Sequence, residues 1–317
     1  MTRDPHAAKE ILVIANPRAG KGAARSRAER LADSLRRRGL AFRVVETTGA
    51  GHATALAREA AGAVVAVGGD GTVNEVVNGL PVHDGRIGPF AALPAGSGDD
   101  FAANARQTRD ADELARRLAH GGTRTIDVGD ARLDCEHGAV QRLFVNDAGL
   151  GFEADVVLAA GELRRLRGLP LYLAATVRAA RRQRVVDCAM TYTRAGTAAS
   201  ETVPVLFASA CNGPRVGGGL HFAPDASVED GALDVLRVTS SSPFATLGLL
   251  VRLLRRRHGR DPRVRLERCD EVAMSPSTPL PVTLDGEVIA RRTTSVRASV
   301  RRHFLSVVAD AAARGGS

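Results

Sequence analysis

The glycine-rich segment 68–75, with the sequence Gly-Gly-Asp-Gly-Thr-Val-Asn-Glu, is the strongest candidate for a chemical site in this chain. It follows an apolar run at Ala63–Val67 and precedes a helical pattern from Thr72. Glycines let a backbone approach a ligand closely, and the first turn of a helix presents N–H groups that suit a phosphate. Asp70 in this turn could orient a hydroxyl, a water or a metal ion. A turn that only begins the helix is the alternative left open.

Two further loops occupy equivalent positions in the strand and helix pattern. Loop 1 (Asn16–Gly22) and loop 3 (Leu93–Phe101) each follow an apolar run and precede a helical pattern, as does loop 2 (Gly68–Glu75). Because the carboxyl ends of parallel strands line one crevice, the three loops are expected to form one phosphate-binding site. Neither a GxxxxGK[ST] nor a GxGxxG pattern follows the first strand, which disfavours ordinary P-loop kinases and dehydrogenases.

The elements around these loops predict two kinds of architecture. In the first third, strands alternate with helices, which is typical of a parallel, doubly wound sheet. The predicted strands are Ile11–Ala15, Phe42–Val45, Ala63–Val67 and Phe90–Leu93, and the helices are Ala23–Arg38, His52–Ala61, Thr72–Asn78, Ala102–Ala105 and Asp110–Ala119. After Thr125 the pattern favours antiparallel β structure. Its predicted strands are Ile126–Val128, Leu143–Asn146, Val185–Tyr192, Val203–Ala210, Leu233–Val238, Val264–Ala273 and Val282–Leu284.

Composition sets further limits. A chain of 317 residues with 44% hydrophobic residues can bury one large or two ordinary domains, and no apolar run is long enough for a transmembrane helix. The formal net charge of +9 predicts an anionic partner. Aromatic residues make up only 3%, which disfavours single-stranded nucleic acid. The four widely spaced cysteines are expected to be reduced thiols, and the polar start does not resemble a signal peptide.

Loops 1, 2 and 3 together resemble the diacylglycerol kinase catalytic-domain family, the bacterial lipid kinases related to sphingosine and ceramide kinases. The likeness continues to about residue 308 through segments in the same order. These segments are Ile126–Gly129, Phe144–Ala154, Cys211–Gly213, Gly217–Asp234 and Leu284–Glu287.

The resemblance implies an α/β plus β fold with two domains. A Rossmann-like nucleotide domain with a parallel sheet would cover residues 1–125, and a segment near 302–317 would return to it. An antiparallel β-sandwich-like domain that accepts the lipid would cover residues 126–301. The active site is expected in the cleft between them.

The resemblance also assigns ATP and Mg²⁺ as cofactors and carries a nucleotide site onto this chain. The implied residues are Asn16, Pro17, Arg18, Ala19, Gly20, Thr47, Gly69, Asp70, Gly71, Thr72, Val73, Asn74, Glu75 and Ser97. This chain departs from the family pattern at Ser97, where threonine is usual, and at Asp99, where asparagine is usual. Asp99 adds a negative charge beside the expected polyphosphate, so a change in nucleotide or metal affinity is expected.

Catalytic and metal roles follow from the same likeness. Glu287 matches the proton acceptor, and Asp70 and Asp285 match other catalytic positions. Asp70 and Asp285, together with Asp100 and Asp127, could hold Mg²⁺ through waters. A structural metal is implied at Ser227, Asp230 and Ala232, where Asp230 would contribute its carboxylate and the other two residues their backbone carbonyls. A plain hairpin turn at Asp285-Gly286 and an empty tight turn at Asp230-Gly231 are the alternatives.

The predicted function is an ATP-dependent lipid kinase that converts diacylglycerol to phosphatidic acid in phospholipid biosynthesis. The alternatives are a kinase of sphingosine, ceramide or another lipid alcohol, an NAD kinase-like enzyme, and a non-catalytic binder. The expected partners are a lipid alcohol, a second copy of the chain and, transiently, an anionic membrane surface. The basic, leucine-bearing stretches Leu163–Arg184 and Pro243–Arg260 suit that surface. No motif supports nucleic acid. A cytoplasmic protein that associates peripherally with the inner face of the membrane is therefore expected.

Overall fold

The computed structural model describes residues 10–96, 98–163, 168–240 and 242–310. The chain divides into two compact units. The N-terminal unit extends to Ile126 and resumes at His303, and the C-terminal unit covers Asp127–Arg302. Within the described residues, no helix combines the length and the apolar character needed to cross a bilayer.

A parallel sheet forms the centre of the N-terminal unit. Its elements are β1 (Ile11–Ala15), α1 (Ala23–Arg37), β2 (Phe42–Glu46), α2 (His52–Arg58), β3 (Val64–Gly68), α3 (Asp70–Gly79), β4 (Val82–His83), β5 (Arg86–Pro94), α4 (Asp100–Asn104) and α5 (Ala111–His120). The strands follow the order β5-β3-β1-β2, and every neighbour in this row is parallel. Strands β1 and β3 are buried along their whole length because helices cover the sheet. Leu31 and Leu35 of α1 pack into the same core as Val13 and Val65.

Antiparallel strands dominate the C-terminal unit. Its elements are β6 (Thr123–Cys135), β7 (Gly138–Phe144), β8 (Asp147–Gly151), α6 (Phe152–Glu162), α7 (Gly168–Ala180), β9 (Val186–Arg194), β10 (Thr197–Val205), β11 (Phe207–Cys211), β12 (Arg215–Val216), β13 (Leu220–His221), β14 (Leu233–Val238), α8 (Pro243–Leu254), β15 (Val264–Cys269), β16 (Glu271–Pro276), β17 (Leu280–Leu284) and β18 (Glu287–Val308). One row follows the order β15-β14-β11-β8-β17-β18, and β16 joins β9 and β10 to β18. The unit boundaries fall inside β6 and β18, and Leu305 of β18 pairs in parallel with Ile87 of β5.

The predicted α/β plus β class is confirmed, and the corrections concern single elements. The run Val203–Ala210 is two strands, because the chain changes partners at Leu206, whose N–H donates to Val238: β10 pairs with β9, whereas β11 pairs with β8 and β14. The run Val264–Ala273 is also two strands, which separate at Asp270. Helix α6 was not predicted, because its sequence is apolar on most sides and lacks a helical stripe. The returning segment is the end of β18, and residues 311–317 lie outside the described residues.

Candidate functional site

The three glycine-rich loops of the N-terminal unit contact one another. They leave the carboxyl ends of β1, β3 and β5, which are neighbours in the sheet. The Ala95 N–H donates to the Gly68 carbonyl at 2.7 Å, which joins loop 3 to loop 2. Gly20 of loop 1 has a φ of 58°, and a Cβ there would overlap the Ala95 carbonyl oxygen. Only glycine therefore allows loops 1 and 3 to come this close.

Asn16 connects loop 1 to the first turn of α3. Its side-chain amide donates to the Thr72 hydroxyl at 3.2 Å, and its side-chain oxygen accepts from the Arg18 N–H at 3.0 Å. Thr72 is buried behind the loops. The amide of Asn16 thus fixes the loop on which Pro17 and Ala19 also lie. The N-terminus of α3, which is ten residues long, faces the same group of loops through Gly69 and Asp70.

Asp70 holds loop 3 in place. Its two carboxylate oxygens accept from the N–H groups of Asp100 and Phe101, at 3.1 and 2.9 Å. Loop 3 therefore reaches α4 in a conformation that Asp70 determines. Asp100 is buried at the start of that helix. The structure brings Asp70 and Asp100 together and gives Asp70 a positioning role through the backbone, whereas their predicted share in holding Mg²⁺ stays a prediction.

The remaining predicted nucleotide residues differ in their surroundings. Thr47 follows β2 and donates its N–H to Ala15, so it lies at the same end of the sheet. Glu75 accepts from the N–H groups of Gly51 and Ala53, so its carboxylate caps α2. Val73 and Asn74 are buried in the body of α3. Both are predicted from the sequence to lie beside the nucleotide. Gly71 lies in the first turn of α3, and Ser97 lies outside the described residues.

Asp99, the departure from the family pattern, carries its own counter-charge. Its side chain is 2% exposed, accepts from the Gly96 N–H at 2.8 Å and pairs with Arg109 at 3.1 Å. Burial raises the pKa of Asp99, while the Gly96 hydrogen bond and the Arg109 charge act in the opposite direction. Arg109 thus offsets the negative charge that the sequence places beside the expected polyphosphate.

Replacing Arg109 by alanine is expected to raise the KM for ATP threefold to fivefold. An ion pair of this kind is worth about 1 kcal/mol, and its loss leaves a carboxylate uncompensated in loop 3. Adding Asp99→Asn is expected to restore the KM, because asparagine still accepts from Gly96 without a charge. Steady-state kinetics on the four proteins of this double-mutant cycle measure the coupling. An equal loss in both Arg109 variants would show instead that Arg109 contacts the nucleotide.

In the C-terminal unit, Asp285 lies in a two-residue hairpin turn. Asp285 and Gly286 have φ values of 49° and 77° and connect β17 to β18, where Leu284 pairs with Glu287. The buried carboxylate of Asp285 accepts from the backbone N–H groups of residues 145, 146 and 147, at distances from 2.7 to 3.1 Å. The hairpin is therefore fixed to the start of β8. Asp285 and Gly286 thus form a hairpin turn, and a catalytic or metal role for Asp285 stays a prediction.

Glu287 is the first residue of β18 and is half-buried. The Asp285 turn fixes the backbone on which it lies, and the pairing of β17 with β8 continues that support at Leu284 and Ala148. The backbone that carries this carboxylate is therefore held in place, which a positioned proton acceptor requires. Its catalytic role stays a prediction.

Asp127 belongs to the same network through Asn212. The Asn212 side-chain amide donates to the carbonyls of Asp127 and Val145, both at 3.0 Å. The fully buried Asp127 carboxylate accepts from the Gly231 N–H at 2.7 Å. The structure thus links Asp127 to the segment that Asp285 holds. Both carboxylates organise backbone here.

At the predicted structural metal site, Asp230 already has a cationic partner. One of its carboxylate oxygens pairs with the Arg268 guanidinium at 2.6 Å, and the other accepts from the Ala232 N–H at 3.2 Å. The Ser227 hydroxyl oxygen accepts from the Glu229 N–H. Across the described ranges, no three His, Cys, Asp or Glu side chains group as metal ligands. Arg268 thus supplies a positive charge at Asp230 in this structure, and a structural metal at this turn stays a prediction.

The Arg268→Gln variant is therefore expected to gain a cation dependence that the parent protein lacks. Removing the guanidinium leaves Asp230 uncompensated beside Asp234, whose pKa is already raised by burial. A divalent ion that binds only the folded state raises Tm. We expect Tm of the variant to rise by a few degrees between EDTA and millimolar Mg²⁺, and Tm of the parent to stay constant. If the Tm of the parent protein fell in EDTA, the predicted structural metal would be supported.

A buried acidic cluster in the C-terminal unit escaped prediction. The Ser209 hydroxyl donates to Asp147 at 2.7 Å, and Glu153 lies beside Asp147, Ser209 and Thr283. Burial raises the pKa of Glu153, and the polar side chains around it act in the opposite direction. The glycine at position 149 could have indicated this cluster, because a Cβ there would overlap the Glu153 carboxylate. Position 149, in the middle of β8, therefore has no room for a side chain.

Comparison with known proteins identifies the family. The diacylglycerol kinase catalytic domain model matches residues 10–131, and the YegS C-terminal NAD kinase beta sandwich-like domain model matches residues 147–309. The diacylglycerol kinase of Bacillus subtilis (strain 168) is 27% identical over 285 residues, which cover 88% of this chain and 90% of the relative. The diacylglycerol kinase of Mycobacterium tuberculosis (strain H37Rv) is 31% identical over 261 residues, covering 80% and 81%. A "Probable lipid kinase YegS-like" from Chromohalobacter salexigens is 30% identical and covers 78% and 77%.

The fold agrees with a solved structure from Bacillus anthracis str. Sterne, provisionally assigned as a diacylglycerol kinase. The TM-score is 0.74 at 22% identity, and the alignment covers 96% of this chain and 99% of that one. The fold and the two matched models define the class as two-domain lipid kinases. Within that class, the chain belongs to the family of diacylglycerol kinases and YegS-like lipid kinases.

Proposed function

We propose that this protein transfers the γ-phosphate of ATP to the hydroxyl of diacylglycerol and so produces phosphatidic acid. The observation that carries the proposal is the convergence of three glycine-rich loops at the carboxyl ends of neighbouring parallel strands. Two of the curated relatives are named diacylglycerol kinases, and they cover most of this chain. The family membership supports a lipid acceptor, and these relatives favour diacylglycerol.

The nucleotide phosphates would lie against loops 1, 2 and 3. Backbone N–H groups at the start of α3 and in glycine-rich loops bind phosphate oxygens without a large side chain in the way. Asp70 maintains the geometry, because it holds the N–H groups of Asp100 and Phe101. Mg²⁺, when bound with ATP, would neutralise charge on the transferred group, and it prefers phosphate and water oxygens with few carboxylates. The small number of carboxylates described above fits this preference.

Glu287 would accept the proton of the lipid alcohol. As the hydroxyl oxygen forms its bond to the γ-phosphorus, the bond to the β-phosphate oxygen breaks and ADP leaves. The hydroxyl proton passes to the Glu287 carboxylate, which later releases it to water. Asp285 would act as a positioning residue, since its turn fixes the start of β18.

The test measures phosphate transfer from γ-labelled ATP onto mixed vesicles that carry one acceptor each. Diacylglycerol, ceramide, sphingosine and a monoacylglycerol form parallel arms, and NAD in solution is a further arm. Labelled phosphatidic acid as the main product supports the proposal. Faster transfer to another lipid would support a lipid kinase with a different acceptor. Transfer to NAD alone would exclude a lipid acceptor.

A further inference from the structure

Among the described residues, most of the exposed large apolar side chains lie on two helices of the C-terminal unit. Nine large apolar side chains are exposed among the described residues, and six of them lie on α7 and α8. These six form what we call the helix patch: Tyr172, Leu173, Val177, Phe244, Val251 and Leu254. Phe244 is 87% exposed, which is the highest value among the nine. Single exposed apolar residues are ordinary, but a concentration of them on neighbouring elements indicates a binding surface.

Helix α8 presents an apolar face outward in addition to the face it buries. Phe244, Gly248, Val251 and Arg255 follow at spacings of four, three and four residues and are all exposed. On the opposite face, Leu249 and Leu253 are buried in the core of the unit. The fold therefore requires burial only of the face that carries Leu249 and Leu253. The stability of the fold does not explain why an apolar residue, Phe244, lies on the exposed face.

The two helices form one fixed platform. They pack against each other, and the Thr246 hydroxyl of α8 donates to the Gln183 side-chain oxygen at 2.9 Å. The Gln183 amide donates to the Ser240 carbonyl at 3.0 Å. On α7, Leu173 and Val177 are exposed one turn apart, while Ala175 and Ala179 are buried. The two helices that carry these exposed residues are thus held in place together.

The charge of the platform has one sign. Residues 168–184 and 242–260 contain nine arginines and no aspartate or glutamate. Glu162 and Asp261, which flank these segments, pair with Arg178 and Arg252. Arg255, Arg256 and Arg257 follow the outward face of α8 directly and are exposed. Apolar side chains with arginines beside them match the acyl boundary and the anionic headgroups of a bilayer.

We propose that the helix patch docks the protein on the surface of an anionic lipid bilayer, where Phe244 and Val251 enter the acyl boundary and the arginines contact headgroups. The inference deepens the proposed function and rests on it, because a kinase of a membrane lipid must reach the bilayer surface. A second copy of the chain is the less favourable occupant, since the exposed arginines of one copy would face those of the other.

The test is co-sedimentation of the full chain with vesicles that lack diacylglycerol, in the absence of ATP. Binding to phosphatidylcholine vesicles is expected to be weak and to rise with the share of phosphatidylglycerol. Phe244→Ser is expected to lower the partition coefficient about tenfold. Changing Arg255, Arg256 and Arg257 to glutamine is expected to lower it about a hundredfold and to reduce its salt dependence.

Matched controls lie in the N-terminal unit. Val82 is 60% exposed, so Val82→Ser removes a comparable apolar side chain, and Arg30, Arg58 and Arg86 are exposed arginines for a triple change to glutamine. Both controls are expected to bind as the parent does. Undiminished binding of Phe244→Ser, or a dimer in solution that this change dissociates, would overturn the docking surface. Binding that follows these expectations without transfer to any lipid would overturn only the proposed function.

Discussion

Changing Glu287 to glutamine is expected to lower kcat by a factor of about 10² to 10⁴, the range that general base catalysis supplies. Glutamine keeps the shape of the side chain and loses the ability to take a proton. Since Glu287 is half-buried at a strand end, the exchange should leave Tm and the KM for ATP close to those of the parent. Kinetics with labelled ATP and lipid vesicles, together with thermal unfolding, separate these quantities.

A second glutamate provides the control for this prediction. Glu271 also begins a strand of the C-terminal unit, is half-buried and pairs with Arg297 at 2.6 Å. Glu271→Gln should keep full kcat, because its carboxylate only joins two strands. If Glu287→Gln were as active as Glu271→Gln, another group would have to accept the proton. If Glu287→Gln instead raised the KM for ATP at unchanged kcat, Glu287 would contribute to nucleotide binding.

The sequence carried enough information for the arrangement of loops 1, 2 and 3. Each loop follows an apolar run and precedes a helix, and the geometry of parallel strands then brings their ends together. The contacts of Gly20 with Ala95 and of Asp70 with Asp100 are consequences of that rule. Glu75 shows the limit of this rule. It lies inside a predicted motif, but its side chain accepts a hydrogen bond at the start of a neighbouring helix.

The antiparallel unit was harder to predict, since its site depends on strand register. Arg268 reaches Asp230 because β14 and β15 pair Asp234 with Arg268, and no local pattern gives that register. The three amides that meet Asp285 lie about 140 residues earlier in the chain. Motif likeness predicts catalytic or metal-binding roles for these carboxylates. It could not show that several of them hold backbone.

Asp285→Ala is expected to lower the free energy of unfolding by about 3–5 kcal/mol. The change leaves three buried N–H groups without their carboxylate acceptor, and each such group costs about 1–3 kcal/mol. Alanine also tolerates the φ of 49° less well than aspartate. Asp285→Asn keeps an acceptor oxygen and the turn conformation, so its loss should be about 1–2 kcal/mol. Urea unfolding of the C-terminal unit within the full chain measures both.

The chain contains a matched control for this turn. Asp84 and Gly85 connect β4 to β5 with φ values of 50° and 76°, so they form the same Asp-Gly hairpin, but the Asp84 side chain is exposed. Asp84→Ala therefore imposes the same backbone strain without orphaning buried amides and should cost about 1 kcal/mol. Equal losses at Asp84 and Asp285 would assign the effect to strain. An Asp285→Asn variant of full stability without activity would give the carboxylate a role at the metal or substrate, and a graded loss of both would show that the turn positions Glu287 through the fold.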